Sequence, residues 1–86
     1  MAADKRDVLV ATAATLTALA EVEGGCSESM IYLAACKGDF ELWGTVSGVL
    51  ERAGWVTVRA HWVTLTAEGR NMAAQIEAAL KSRGGL

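Results

Sequence analysis

A change of hydrophobic period at Gly54 constrains this chain more than any other feature. Upstream, from Asp39 to Ala53, apolar residues fall at Phe40, Trp43, Val46, Leu50 and Ala53. Steps of three and four are the period of a helix with one buried face. Gly54 then stands where a left-handed residue commonly closes a helix. Downstream the period becomes two. Val56 and Val58 point one way and Trp55, Thr57 and Arg59 the other. Val63 and Leu65 answer them across a tight turn at Ala60-His61. Thr66 is placed to cap a further helix, with Glu68 in its first turn at the positive end of the dipole.

Two runs carry a family resemblance. The first is Leu50-Glu51-Arg52-Ala53-Gly54-Trp55-Val56, and the second is Val63-Thr64-Leu65-Thr66-Ala67-Glu68-Gly69-Arg70. Together they resemble the second half of a winged helix-turn-helix domain of the prokaryotic transcription-regulator type. The first run looks like the close of a recognition helix, and the second like the exit from the wing. The resemblance implies a mainly α fold with a small β-hairpin, in the order α-α-α-β-β-α.

The remaining segments fit that order. The first helix is expected from about Asp4 to Val22, with Asp4 capping it and Gly24-Gly25 stopping it. Its broad apolar face is Val8, Leu9, Leu16, Leu19 and Val22. The opposite side holds Val10, Ala14, Thr17 and Ala18, with no charge before Glu21. A solvated helix back normally carries charge, so a second buried surface and a homodimer are weighed evenly against a merely tolerant surface. The second helix is expected from Ser27 to Lys37, with Met30, Ile31, Leu33, Ala34 and Cys36 inward and Ser27 as cap. Gly38 turns the chain into the third helix, which Asp39 can cap. The fourth helix runs from Ala67 to about Ser82 on a stripe of Met72, Ile76 and Leu80. Its alanine flanks could join the first helix in the dimer contact.

At 86 residues the chain makes a single domain, residues 1–86, with the first few residues and 83–86 expected to be flexible. More than half of it is hydrophobic and it has no proline, which argues against disorder. The formal charge of −2 counts against a dedicated nucleic-acid binder, which usually carries a basic surface. Cys26 and Cys36 are ten apart, not a zinc or redox spacing. Reduced thiols in the cytoplasm are the simpler reading, with a disulfide the minor one. No segment supplies the ~20 apolar residues a membrane span requires. Lys5-Arg6 followed by an uncharged run from Val8 to Ala20 imitates a signal peptide, but Asp4 and Asp7 flank the basic pair and the fold needs that helix.

The chemistry-bearing residues are few. There is no nucleophile elbow, phosphate loop or carboxylate pair. His61, the one histidine, has no carboxylate near it in sequence. No catalytic residue, cofactor or metal is therefore expected, and the protein is not expected to be an enzyme. Trp43 and Trp55 are expected to pack inside.

The resemblance implies a third helix that enters the major groove of duplex DNA and a wing that touches its backbone. The residues it nominates are Lys37, Thr45, Ser47, Gly48, Arg52, Arg59 and His61. Where it implies arginine, lysine or amide side chains for base edges, this helix has Thr45 and Gly48, with Glu41 and Glu51 beside them. The wing lacks the Asn-Gly chemistry of a two-residue loop, so an irregular turn is expected. Arg59 and Trp62 are expected to face one another across it. A small DNA-binding regulator, used as a dimer, is the first function class. The alternative is a protein–protein module that presents Leu42, Val49 and Trp62.

Overall fold

The computed structural model describes residues 4–84. Its elements are α1 (Lys5–Ala20), β1 (Cys26–Ser27), α2 (Glu28–Ala35), α3 (Phe40–Arg52), β2 (Val56–Arg59), β3 (Trp62–Leu65) and α4 (Ala67–Gly84). The layout is winged-helix-like: mainly helical, with one antiparallel sheet of order β1-β3-β2. The third strand, β1, is the addition to the expected order. It pairs Cys26 with Val63 and Ser27 with Trp62. Two residues are too few to show a period of two, so pattern alone could not reveal it.

The centre of the chain folds as its period dictates. Asp39 caps α3 by accepting the Leu42 amide at 3.1 Å. Trp43, Val46 and Leu50 are buried. At the other end the Trp55 amide donates to Leu50 and the Gly54 amide to Glu51, with Gly54 at φ +79°. That pair of bonds is a Schellman closure, and it needs the left-handed residue. The hairpin register is Val56 with Leu65, Thr57 with Thr64, Val58 with Val63, and Arg59 with Trp62. The irregular turn does not occur. Instead Ala60 and His61 adopt φ of +49° and +64°, so the two-residue loop takes the conformation that matches strand twist without the residues that favour it. The departure is stored as backbone strain rather than as a bulge.

Thr66 joins this unit to α4. Its hydroxyl donates to the Gly54 carbonyl at 2.6 Å and accepts the Gly69 amide at 3.0 Å. Gly69 faces the Trp55 carbonyl so closely that a Cβ there would overlap it. The helix needs glycine here for contact, not for conformation.

Helix α1 is the post around which the rest is arranged, touching α2, α3, α4 and β3. Its buried residues are Ala11, Thr12, Thr15, Leu16 and Leu19. This corrects the expected face. Leu9 is 69% exposed and Val22 lies beyond the helix end. Leu16 and Leu19 are buried as expected, and the small Ala11, Thr12 and Thr15 complete the face where the neighbouring elements approach. Ala18, expected on the outer side, packs against the core. Asp4 holds the cap position, but its carboxylate makes no cap bond.

In α2, Ile31 and the following Cys36 are buried, whereas Met30, Leu33 and Ala34 face outward. Lys37 at φ +53° and Gly38 at φ +81° end that helix earlier than expected. Helix α4 seats Met72, Ala73 and Ile76 on the core, but Leu80 is 61% exposed because the helix runs past its support. That helix also continues two residues beyond Ser82. The expected flexibility of residues 1–3 and 85–86 lies outside the described residues. Cys26 and Cys36 are free thiols. No helix among the described residues is long and apolar enough to cross a membrane.

Leu50→Ala is expected to cost about 2–5 kcal/mol by denaturant unfolding. Gly69→Ala gives a sharper test. In an ordinary helix interior it would stabilise by about 1 kcal/mol; against the Trp55 carbonyl it is expected to destabilise.

Candidate nucleic-acid interface

The outward side of α3 follows from its buried one. With Trp43, Val46 and Leu50 inward, Glu41, Gly44, Thr45, Gly48 and Arg52 share the opposite face at the helical period. The Arg52 guanidinium lies over Gly48, 3.7 Å from where a Cβ would stand. At Gly44 a Cβ would meet nothing within 4 Å. Each interior glycine costs a helix about 1 kcal/mol relative to alanine. Among the described residues, no neighbour accounts for that cost at Gly44. The hydroxyl of Thr45 is only loosely engaged, 3.5 Å from the Glu41 carbonyl.

Ser47 does not belong to this face. It is half-buried on the Trp43 side, roughly 160° around the helix from Thr45, and its hydroxyl donates to the Gly44 carbonyl at 3.3 Å. The nearness of 45 to 47 in sequence hides that separation.

The first turn of α3 is flanked by two clefts. One, of about 470 Å³, is lined by Arg6, Asp7, Val10, Cys36, Lys37, Asp39 and Leu42, among others. Lys37 is thus brought beside the start of α1. The other, of about 370 Å³, is lined by Ser27, Glu28, Ser29, Tyr32, Phe40 and His61. His61 and Lys37 therefore stand on opposite sides of α3. Arg59 is exposed on β2, one residue before the turn.

The second cleft holds the main surprise. His61 does have a carboxylate beside it, contrary to the sequence reading. Glu28 Oε1 lies 2.9 Å from His61 Nδ1, and Trp43 Nε1 donates to Glu28 Oε2 at 2.8 Å. The Glu28 amide also donates to the His61 carbonyl at 2.7 Å. Glu28 and His61 are 33 residues apart, so no local spacing could show this. The hydrogen bonds from His61 and then Trp43 hold its carboxyl below the ordinary glutamate value, against the opposing effect of burial; the charge of His61 adds a smaller pull in the same direction.

The proposed protein-contact trio does not form one surface. Leu42 packs beside the first turns of α1. Trp62 donates its indole N–H at 2.7 Å to Gly24, past the other end of that helix. A 16-residue helix separates them. Trp62 is 49% exposed, and Met30 and Leu33 on α2 and Phe40 at the start of α3 are each 60% exposed or more. Phe40 meets Tyr32 edge to face, with centroids 5.3 Å apart. Spacing alone put Phe40 on the core stripe, but the first residue of α3 projects past the core. Among the described residues, no three of His, Cys, Asp and Glu converge as a metal site requires.

No protein-family model, curated protein or solved structure matches this chain.

The Glu28 carboxyl gives a pH prediction. Its folded value is lowered from 4.5, so its contribution is complete above that pH and is lost as pH falls through the lowered value. Unfolding followed across the acid range is expected to show this loss. Glu28→Gln is expected to flatten it.

Proposed function

We propose that this protein binds duplex DNA as a small transcriptional regulator. The outward face of α3 enters the groove and the β2–β3 wing lies along the backbone. The observation that carries the reading is the surface of α3. Gly44 and Gly48 leave the helix thin, Thr45 presents a hydroxyl, and Arg52 lies along the same face. A thin helix allows close approach to base edges. Lys37 and Arg59 flank it as phosphate contacts, and His61 stands at the wing turn. With so few cations, binding relies on fit and on doubling of the site more than on long-range attraction.

Doubling comes from a homodimer through α1 and α4. The outer side of α1 carries Leu9 and Val10, both more than 60% exposed, with Ala14 and Thr17 half-buried alongside. Leu80 of α4 extends the apolar stripe past its own core. Ala18 leaves this interface because it packs within its own chain. Two copies place two α3 faces on one duplex. A cytoplasmic setting goes with this reading and with reduced thiols.

One observation favours a second reading. Met30, Leu33 and Phe40 are exposed near the acidic Glu41, a surface better suited to a protein partner than to phosphate.

Titrating mixed-sequence duplex at several salt concentrations separates the two. Under the DNA reading, affinity falls steeply with salt, and Arg52→Ala and Arg59→Ala each lower the slope by about 0.9. Absence of binding at low salt removes the DNA reading in favour of the partner surface. Sedimentation tests the dimer. Leu9→Glu and Ala14→Glu are expected to shift the protein to monomer, and a dimer untouched by both takes α1 out of the interface.

A further inference from the structure

The wing has little of its own to hold it in place. Strands β2 and β3 are four residues each, and β1 beside them is two. An isolated hairpin of this size is marginal in water. Its turn places Ala60 and His61 in left-handed conformations that L residues adopt reluctantly. Such strain persists where surrounding structure over-determines it.

Val63 is buried and Trp62 bonds Gly24, which hold β3, and at the turn itself the restraint comes from Glu28. Glu28 holds His61 twice, by its amide on the carbonyl and by its carboxylate on the ring. The same carboxylate accepts the indole N–H of Trp43, which is 1% exposed within α3. The His61 side chain is 89% exposed while that of Glu28 is 20% exposed. One end of the link is therefore free in solvent and the other is seated on the core. Tyr32 is the remaining titratable side chain lining this cleft, and the Ser27 and Ser29 hydroxyls and the Phe40 ring complete it.

We infer that Glu28 is the positioning residue of the wing, fixing its turn to the outward-facing helix through Trp43, so that α3 and the wing meet a partner as one rigid unit. The DNA reading supplies the use of that unit. The tether itself belongs to the free protein. A merely local role for Glu28, as an acidic residue in the first turn of α2, would leave the wing indifferent to its removal.

Amide hydrogen exchange on the wild type, Glu28→Ala and Glu28→Gln tests the tether without DNA. Glu28→Ala is expected to speed exchange at amide 28 and along the wing ladder by about tenfold, as loss of charge-assisted bonds implies. It is expected to move the Trp43 indole N–H resonance and to leave the amides of Leu16, Leu19 and Leu50 protected as before. Glu28→Gln is expected to restore most of the protection, because its amide oxygen can accept from Trp43 and its amide N–H can donate to the imidazole. Wing exchange at the wild-type rate in Glu28→Ala overturns the inference. So does a uniform acceleration that includes the core, or a failure of glutamine to restore the wing.

Duplex affinity of the same variants then separates the tether from its use. Losing a carboxylate near phosphate should by itself strengthen binding. Weaker binding by Glu28→Ala with wild-type or stronger binding by Glu28→Gln therefore isolates positioning and supports both readings. A loosened wing with unchanged affinity upholds the tether and overturns the wing's part in DNA binding.

Discussion

The hydroxyl of Thr66 is the interaction on which the second half of the molecule depends. It donates to the carbonyl of Gly54, which closes α3, and accepts the amide of Gly69, which opens α4. The Thr66 amide adds a bond to the Trp55 carbonyl at 3.0 Å. One residue thus satisfies backbone groups at the end of one helix and the start of another, and closes the hairpin between them. Neither helix can change its angle without breaking that group of bonds. The absence of a side chain at Gly69 lets α4 come down onto Trp55 within the same few residues.

The first half solves a different problem. Helix α1 has to serve four neighbours at once, and it does so with alanine and threonine among its leucines. Thr15 satisfies its buried hydroxyl on the Ala11 carbonyl at 2.7 Å, within its own helix. The Thr12 hydroxyl is buried with no hydrogen-bond partner among the described residues, a cost of the kind that close helix contact imposes. Leu16 and Leu19 share the buried face of α1 with these small residues, whereas Leu9 and Val10 are left outside. Exposed apolar side chains remain on α1 at Leu9 and Val10, at Leu80, and at Met30, Leu33 and Phe40.

These two halves meet at Glu28. The wing pairs with β1 through Ser27 opposite Trp62, and the next residue, Glu28, carries both the backbone and the ring of His61. Trp62 adds a separate bond back to Gly24. The hairpin is held at its base by Thr66 and at its turn by Glu28, so a short and strained element acquires a defined place. The α3 face between Lys37 and Arg59 is then framed by fixed structure on either side.

Local chemistry was enough for much of this. The period of α3, the glycine that closes it, the register Val58 with Val63, the Thr66 cap and the burial of Trp43 all follow from neighbouring residues, because each depends on contacts a few positions away. Of the candidate site, Thr45, Gly48 and Arg52 share the face that the helical period assigns them. What only the tertiary structure decided involves residues far apart in the chain. The two-residue β1 exists because β3 is there to pair with it. Leu9 and Phe40 are exposed because their helix ends project past the core, which no wheel can show. Ser47, by contrast, leaves the site on the helical period alone, roughly 160° around α3 from Thr45. Glu28 entered it because the fold brings the wing turn to the start of α2 and places the indole of Trp43 beneath the same carboxylate. A sequence sets the repeat along each element; which side of that repeat is covered, and by what, is set when the elements meet.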